Sequence, residues 1–245
     1  EDYVAEWVRR QRLEDAAREP RLRLMADIIP FLQDAAISIL DIGAGYGPIS
    51  AMMIERFPNA HVTLVDYSRP MLGWAHKFLE PHSSRVSFVE ADLSQPNALS
   101  KTAGGFHVAV SSLTFHNLQN ATRIREGYGD VFKSLRPGGC FLNLDLINAP
   151  TPALQRLYEQ IQSSRRKSLS RDLSPSKSGS SAPGVRQTES DGGTNELASA
   201  PGRHSRMPTF AAGLDDQLAW IRDAGFSPVD CFWKDLGIAL VGGFK

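Results

Sequence analysis

Apolar residues along this chain change their period several times, and each change marks an element. Val4, Trp7 and Val8, then Leu22, Met25, Ile28, Ile29 and Leu32, recur at helical spacing. The segment from about 2 to 32 therefore reads as helix, with Pro20 expected to break it into two. From residue 37 the period shortens. Runs of β-branched and apolar residues at 37–43, 61–68, 86–93, 107–113 and 140–147 read as strands. Helical patterns at 49–57, 70–81 and 121–135 separate them, and the turn signals Gly104-Gly105 and Arg136-Pro137-Gly138-Gly139 punctuate the series. Alternating strand and helix means βαβ units and a mainly parallel sheet covered on both faces.

The pattern then lapses. Residues 163–208 are rich in Ser, Gly, Pro and Arg with little apolar periodicity, and read as a loop, linker or mobile lid. Order returns with a helix at 214–226, closed by Gly225. Two short strands follow at 228–235 and 237–245. Their link is too short for a parallel crossover, so they form an antiparallel hairpin. The fold class is α/β: a Rossmann-like three-layer sandwich whose mainly parallel seven-stranded sheet carries an antiparallel C-terminal hairpin strand.

Composition narrows the function classes. The 245 residues suit one large domain or a core with an insertion. With 27 basic and 27 acidic residues the formal net charge is zero, so no global field favours nucleic acid or an anionic membrane. Two distant cysteines, Cys140 and Cys231, have no zinc-ligand spacing, and no metal is expected. They read as reduced core residues of a cytoplasmic protein. No apolar run approaches the ~18 residues of a membrane span, and the charged N-terminal stretch has no signal-peptide apolar region.

The stretch ISILDIGAGYGPIS carries the first chemical signal. Gly43, Gly45 and Gly47 bare the backbone after a buried strand, at the carboxyl edge where ligands of open parallel sheets bind. The dinucleotide fingerprint is GxGxxG, whereas this loop is GxGxG with Pro48 after it. Asp41, two residues before the first glycine, would repel a pyrophosphate and suits an amino-bearing or cationic ligand. Asp66 ends the next strand, where a carboxylate can accept both ribose hydroxyls. Asp92 ends the third, where it can take the exocyclic amine of adenine. These acids describe a nucleoside with a cationic amino-acid tail and no phosphate, which is S-adenosylmethionine.

At these residues the chain resembles the class I S-adenosylmethionine-dependent methyltransferases. LDIGAGYG is similar to their first motif, LVDYS to the ribose-binding motif and EADL to the adenine-binding one. VSSLTFHNL resembles the segment after strand four, and LRPGGCFLNLDL the turn and fifth strand. The ordered series covers about residues 37–147 and 214–245, and the tail is similar to bacterial small-molecule methyltransferases. The Ser/Arg-rich stretch departs from the helical cap of that family. The resemblance implies an N-terminal helical lid (1–35), a cofactor-binding core (36–150), a cap or mobile insertion (151–212) and a closing helix and hairpin (213–245). It implies that Asp41 orients the methionine amine and that Gly43, Ala44, Gly45 and Gly47 line methionine and ribose. Asp66 holds the ribose, Tyr67 packs near adenine, Asp92 and the Leu93 backbone read adenine, and Ser112 lies by the methionine moiety.

His116 is the histidine beside the expected methyl-donor end. It reads either as a general base or as a ring packed between loop and helix. His61, His76, His82, His107 and His204 show no convergent spacing. Tyr3 and Trp7 read as lid or core residues, Trp220 and Trp233 as core, and Arg165-Arg166-Lys167 as a solvated run. The implied activity is methyl transfer to a small-molecule acceptor, leaving S-adenosylhomocysteine. A related S-adenosylmethionine-modifying enzyme is one alternative; the rivals are a tRNA- or protein-directed methyltransferase, a nicotinamide-dependent oxidoreductase and a non-catalytic binding protein. Neutral charge, the GxGxG spacing with Asp41, and the intact acid set speak against them in that order. His116 is followed by Asn117-Leu118, so the Asn-Pro-Pro-aromatic signature of many amino-group methyltransferases is not completed.

Overall fold

The computed structural model describes residues 2–172 and 211–245, and within these the side chains at 2, 3, 7, 10, 13–17 and 166–172 lie outside the description. Seven strands form one sheet: β1 (Ser38–Ile42), β2 (His61–Asp66), β3 (Val86–Glu90), β4 (Phe106–Ser112), β5 (Leu135–Leu146), β6 (Val229–Asp235) and β7 (Ile238–Phe244). Their order is β3-β2-β1-β4-β5-β7-β6. The first five pair in parallel. β7 runs antiparallel to both β5 and β6, as the short link at Leu236-Gly237 requires. Strand order reverses between β1 and β4, which opens a crevice at the carboxyl edge.

The central strands are apolar on both faces because both are covered. Ile39, Val62, Val108 and Leu142 point to one side. There they meet α1 (Asp2–Ile28), α2 (Pro48–Arg56) and α3 (Arg69–Phe78) through Met25, Met53 and Ala75. Leu40, Val65, Ala109 and Phe141 point the other way. They pack on Ile124, Tyr128 and Val131 of α4 (Ala121–Ser134) and Ile221 of α6 (Leu214–Asp223). Burying a side chain of this size contributes roughly 1.5–3 kcal/mol, so the two layers hold the sheet without polar help. The seven-stranded α/β sandwich expected from the alternating pattern is the observed fold.

Three details differ from the expectation. Pro20 does not divide the N-terminal segment: α1 is continuous from Asp2 to Ile28. Pro20 itself is exposed, while Leu22, Met25 and Ala26 just beyond it are buried against the sheet. That packing offsets the backbone hydrogen bond proline cannot donate. Second, α5 (Pro152–Asp172) extends through 163–172, where composition suggested a loop. Polar residues keep a helix when a few side chains tie it down, and here Arg165 reaches Asp235 at 2.6 Å and Lys234 meets Tyr158 at 3.4 Å. The remainder of the low-complexity stretch, 173–208, lies outside the described residues. Third, β5 begins at Leu135, and a register shift between Phe106 and Val108 absorbs the Arg136–Gly139 turn.

Candidate functional site

The glycine loop takes its form from three left-handed residues. Gly43, Gly45 and Gly47 have φ of +70°, +56° and +88°, a region that costs other residues about 1–2 kcal/mol. Gly43 and Ala44 both donate their N–H to the Val65 carbonyl, at 2.8 and 3.0 Å, which ties the loop to the end of β2. Gly47 caps α2 and Pro48 opens it. The loop's two sides are unlike. A Cβ on Gly43 would overlap the Thr114 side chain, whereas a Cβ on Gly45 would have nothing within 4 Å. The open side is where a ligand can approach the backbone.

Asp41 lies under this loop, fully buried on the α2 side of the sheet. Ser50 Oγ donates to its Oδ2 at 2.7 Å, and its Oδ1 is buried with no hydrogen-bond partner. Burial pushes this carboxyl up to about 7; the nearby Asp66 charge adds to the rise and the Ser50 bond opposes it. Asp66 ends β2, with one oxygen accepting from Gly45 N–H at 2.9 Å and the other from Ser68 N–H at 2.8 Å. Burial raises its pKa, and those backbone donors, Ser68 first, pull it back. Tyr67 beside it is 56% exposed.

β3 ends in the segment that carries Asp92 and Leu93. Ala91 N–H donates to the Asp66 carbonyl at 3.1 Å, which sets this segment beside the β2 end. Asp92 Oδ1 accepts from Ser94 N–H at 2.9 Å. Ser112 closes β4, and its carbonyl accepts from Thr114 Oγ1 at 3.1 Å. Thr114 also reaches the Ile42 and Gly43 carbonyls, at 3.3 and 3.4 Å, and so links the ends of β1 and β4. The sequence-derived candidates thus gather along one edge of the sheet.

His116 belongs to a short 3-10 helix, Phe115–Leu118, that follows β4. Its Nδ1 lies 2.5 Å from Asp145 Oδ1, and its backbone N–H donates to Asp145 Oδ2 at 3.0 Å. Asp145 is a residue of β5, buried on the α4 and α6 side. A carboxylate only accepts, so the ring proton sits on Nδ1 and neutral His116 keeps its lone pair on Nε2. Behind this pair Tyr128 donates to Gln217 at 3.0 Å and Gln217 Nε2 donates to the Leu146 carbonyl at 3.1 Å. Burial, then the charge of Asp145, raises the Tyr128 hydroxyl pKa and keeps it protonated.

Helix α1 covers the loop from the other side. Val8 packs with Tyr46 and Met71, and the Arg12 guanidinium stands 5.0 Å from the Phe78 ring centre and 6.0 Å from that of Tyr46. The side chains of Tyr3 and Trp7 lie outside the described residues. Trp220 and Trp233 pack against the two core layers. Cys140 is buried and its thiol pushed up to about 12 by that burial, so it is inert. Among the described residues no group of three His, Cys, Asp or Glu could hold a metal. No helix of the described residues is long and apolar enough to cross a membrane.

Sequence reasoning missed Asp145, Ser50 and Thr114. Asp145 had a signal: like Asp66, it is an acid near the carboxyl end of a buried strand. Ser50 and Thr114 had none, because their partners are fixed only by packing.

Comparison with known proteins agrees with this architecture. Residues 39–139 match the methyltransferase domain family. The demethylmenaquinone methyltransferase of Thermus thermophilus is 31% identical over 127 residues, covering 52% of this chain and 55% of that protein. The apo structure of the S-adenosylmethionine-dependent methyltransferase SibL superposes with a TM-score of 0.60 at 15% identity, covering 94% of this chain and 56% of that one. PigF with S-adenosylhomocysteine gives 0.61 at 16% identity, covering 99% and 58%. At such identities the superpositions speak for the fold. The chain spans about half the length of the curated relatives it matches. Residues 39–139 are thus similar to the methyltransferase domain family, and the fold is the one seen in the solved methyltransferases.

Proposed function

We propose that this protein transfers a methyl group from S-adenosylmethionine to a small-molecule acceptor, leaving S-adenosylhomocysteine. The observation that carries the reading is the unpartnered, buried Asp41 Oδ1 beneath a glycine loop whose Gly45 faces open space. A buried carboxylate oxygen without a donor is costly unless a cation comes to it, and the cofactor's ammonium group is such a cation. Asp66 and Asp92, at the ends of the next two strands, supply acceptors for ribose and adenine. Asp66 keeps acceptor capacity beside its backbone bonds from Ser68, Gly45 and Tyr67, because a carboxylate has about four lone-pair sites. The residues present therefore fit the cofactor.

When bound, the sulfonium supplies a methyl group already activated for displacement. The protein's task is to hold and align. Asp41 and the loop hold the amino-acid end, Asp66 the ribose, and Tyr67, Asp92 and the Leu93 backbone the adenine. Ser112 stands by the methionine moiety. The acceptor must sit near ~3 Å from the methyl and opposite the sulfur. Helix α1, which packs on Tyr46 of the glycine loop through Val8, is material for a cover that excludes water. His116 Nε2 takes the proton of the acceptor, and Asp145 fixes the tautomer and stabilises the imidazolium formed. That pair favours a hydroxyl acceptor, since an already ionised nucleophile needs no base. The Thermus thermophilus relative is named for a small quinone precursor, demethylmenaquinone, which supports a small acceptor over tRNA or protein. The unpaired cysteines suit a reducing cytoplasm.

Calorimetric titration with S-adenosylmethionine and S-adenosylhomocysteine, with NADH as control and Asp66→Ala alongside, tests the reading. Micromolar binding of the first two, lost in the variant and absent for NADH, is expected. Failure of the wild-type protein to bind either sulfur compound would remove the proposal.

A further inference from the structure

Arg123 is a buried cation that the methyl-transfer chemistry does not use. It stands in the first turn of α4, 9% exposed, where Asn120 caps its backbone N–H at 3.1 Å. Its guanidinium is spread over three acceptors: the Leu93 carbonyl at 2.7 Å through Nε, Glu126 at 3.2 Å through Nη1, and Asp130 at 3.0 Å through Nη2. Asp130 is itself only 10% exposed at its side chain, so two of the three contacts are shielded from water. Burying a guanidinium is costly unless its geometry is well satisfied. A leucine or methionine would fill the same space among Leu99, Phe115 and Val131 without that cost.

The contact with Leu93 is the informative one. The Leu93 carbonyl and the Ser94 N–H belong to one peptide plane. Arg123 holds the carbonyl end, and the Asp92 carboxylate accepts from the N–H end at 2.9 Å. The plane is clamped at both ends, and with it the direction of the Asp92 side chain. Helix α4 is also where the segment after β4 is anchored: Phe115, next to His116, packs against Gly127 one turn beyond Arg123. One guanidinium therefore joins the nucleobase end of the crevice to the helix that carries the His116 segment.

We infer that Arg123 is the positioning residue for nucleobase recognition: by holding the Leu93–Ser94 peptide it aims Asp92 at the exocyclic amine of an adenine nucleoside. The inference rests on the cofactor assignment above. Its effect is on discrimination rather than on binding at large. An adenine offers Asp92 an amino donor; hypoxanthine, with a carbonyl at the same position, does not.

The test compares S-adenosylhomocysteine with S-inosylhomocysteine by calorimetry on the full chain. The wild-type protein is expected to prefer the adenosyl compound by about tenfold or more, the worth of one hydrogen bond to a charged acceptor. Arg123→Met should bring the ratio to within about threefold, and Arg123→Lys, which keeps the charge but cannot span three acceptors, should fall between. Asp92→Asn should abolish the preference in either background. Melting temperature and circular dichroism show whether each variant is folded, and Arg123→Lys keeps the test open if Arg123→Met is not. A general loss of stability would weaken both ligands in proportion and leave the ratio intact, and that result overturns the inference. So does a wild-type protein that binds both compounds equally. No binding of S-adenosylhomocysteine by the wild type would instead strike the cofactor assignment itself, and the inference with it.

Discussion

The two halves of the sheet's carboxyl edge solve the problem of a buried acid differently. At β1 and β2, Asp41 and Asp66 take their bonds from Ser50 and from backbone N–H groups, and one Asp41 oxygen is left without a partner. At β5, Asp145 is bonded to the His116 ring, to two backbone N–H groups, and has little capacity to spare. The first arrangement keeps an unpartnered oxygen in reserve for a cationic ligand. The second commits the charge to orienting a neighbour, and so prepares a proton acceptor one residue away. Two acids of equal burial thus do different work because one is under-bonded and the other is not.

The contrast can be broken at either half. Asp66→Ala carries the largest expected effect: it removes the acceptor for Gly45 and Ser68 N–H and the ribose site together. Affinity for S-adenosylhomocysteine should drop by at least about 100-fold in calorimetry. Retained affinity would show that the glycine loop binds without it. His116→Ala comes next. Turnover on the true acceptor should fall by about 10²-fold with S-adenosylhomocysteine affinity nearly unchanged, because general bases contribute on that scale. Asp145→Asn, which removes the carboxylate that orients the ring, should lower turnover less. Unaltered turnover in His116→Ala would leave the pair a purely structural tie.

Smaller effects sharpen the comparison inside the glycine loop. Gly43→Ala meets Thr114 as well as an unfavourable φ and should destabilise the fold by about 2–3 kcal/mol in urea unfolding. Gly45→Ala meets only the φ penalty, about 1 kcal/mol, yet narrows the open side, so its loss should appear in cofactor affinity. Equal stability losses at the two sites would contradict the difference in their surroundings.

A further effect is that of pH. The folded protein holds a proton on Asp41 up to about pH 7, whereas the unfolded chain loses it near 4. Between those values the native state binds more protons, so stability falls as pH rises, by up to about 1.4 kcal/mol per unit from this group, and levels off above 7. Asp41→Asn should flatten that slope. A cation binding Asp41 favours its ionised form, so cofactor affinity should rise roughly tenfold from pH 6 to 8, with proton release on binding below pH 7. Affinity independent of pH across that range would place the ammonium elsewhere.

The cofactor half was legible in the sequence because its information is local. Strand, acid and glycine loop follow one another within 37–50, and Asp66 and Asp92 mark successive strand ends. The His116–Asp145 tie was not, since it spans 29 residues and depends on β4 lying beside β5. His116 alone was ambiguous, and only its partner decides which nitrogen is basic. Pro20 misled for a related reason. Local chemistry says break, while burial of Leu22, Met25 and Ala26 a turn later keeps the helix whole. The composition of 163–172 likewise predicted a loop where contacts to β6 sustain a helix.

The place of β7 has a consequence for how the chain is made. β7 follows β6 in sequence but lies between β5 and β6, so β6 leaves the ribosome with no neighbour to pair with. Until Ile238–Phe244 has paired, β5 presents a long unpaired backbone edge, Cys140–Leu146, to any strand it meets. The sheet is thus incomplete until the β6–β7 hairpin has formed, and until then β5 displays the edge most prone to pairing with another molecule.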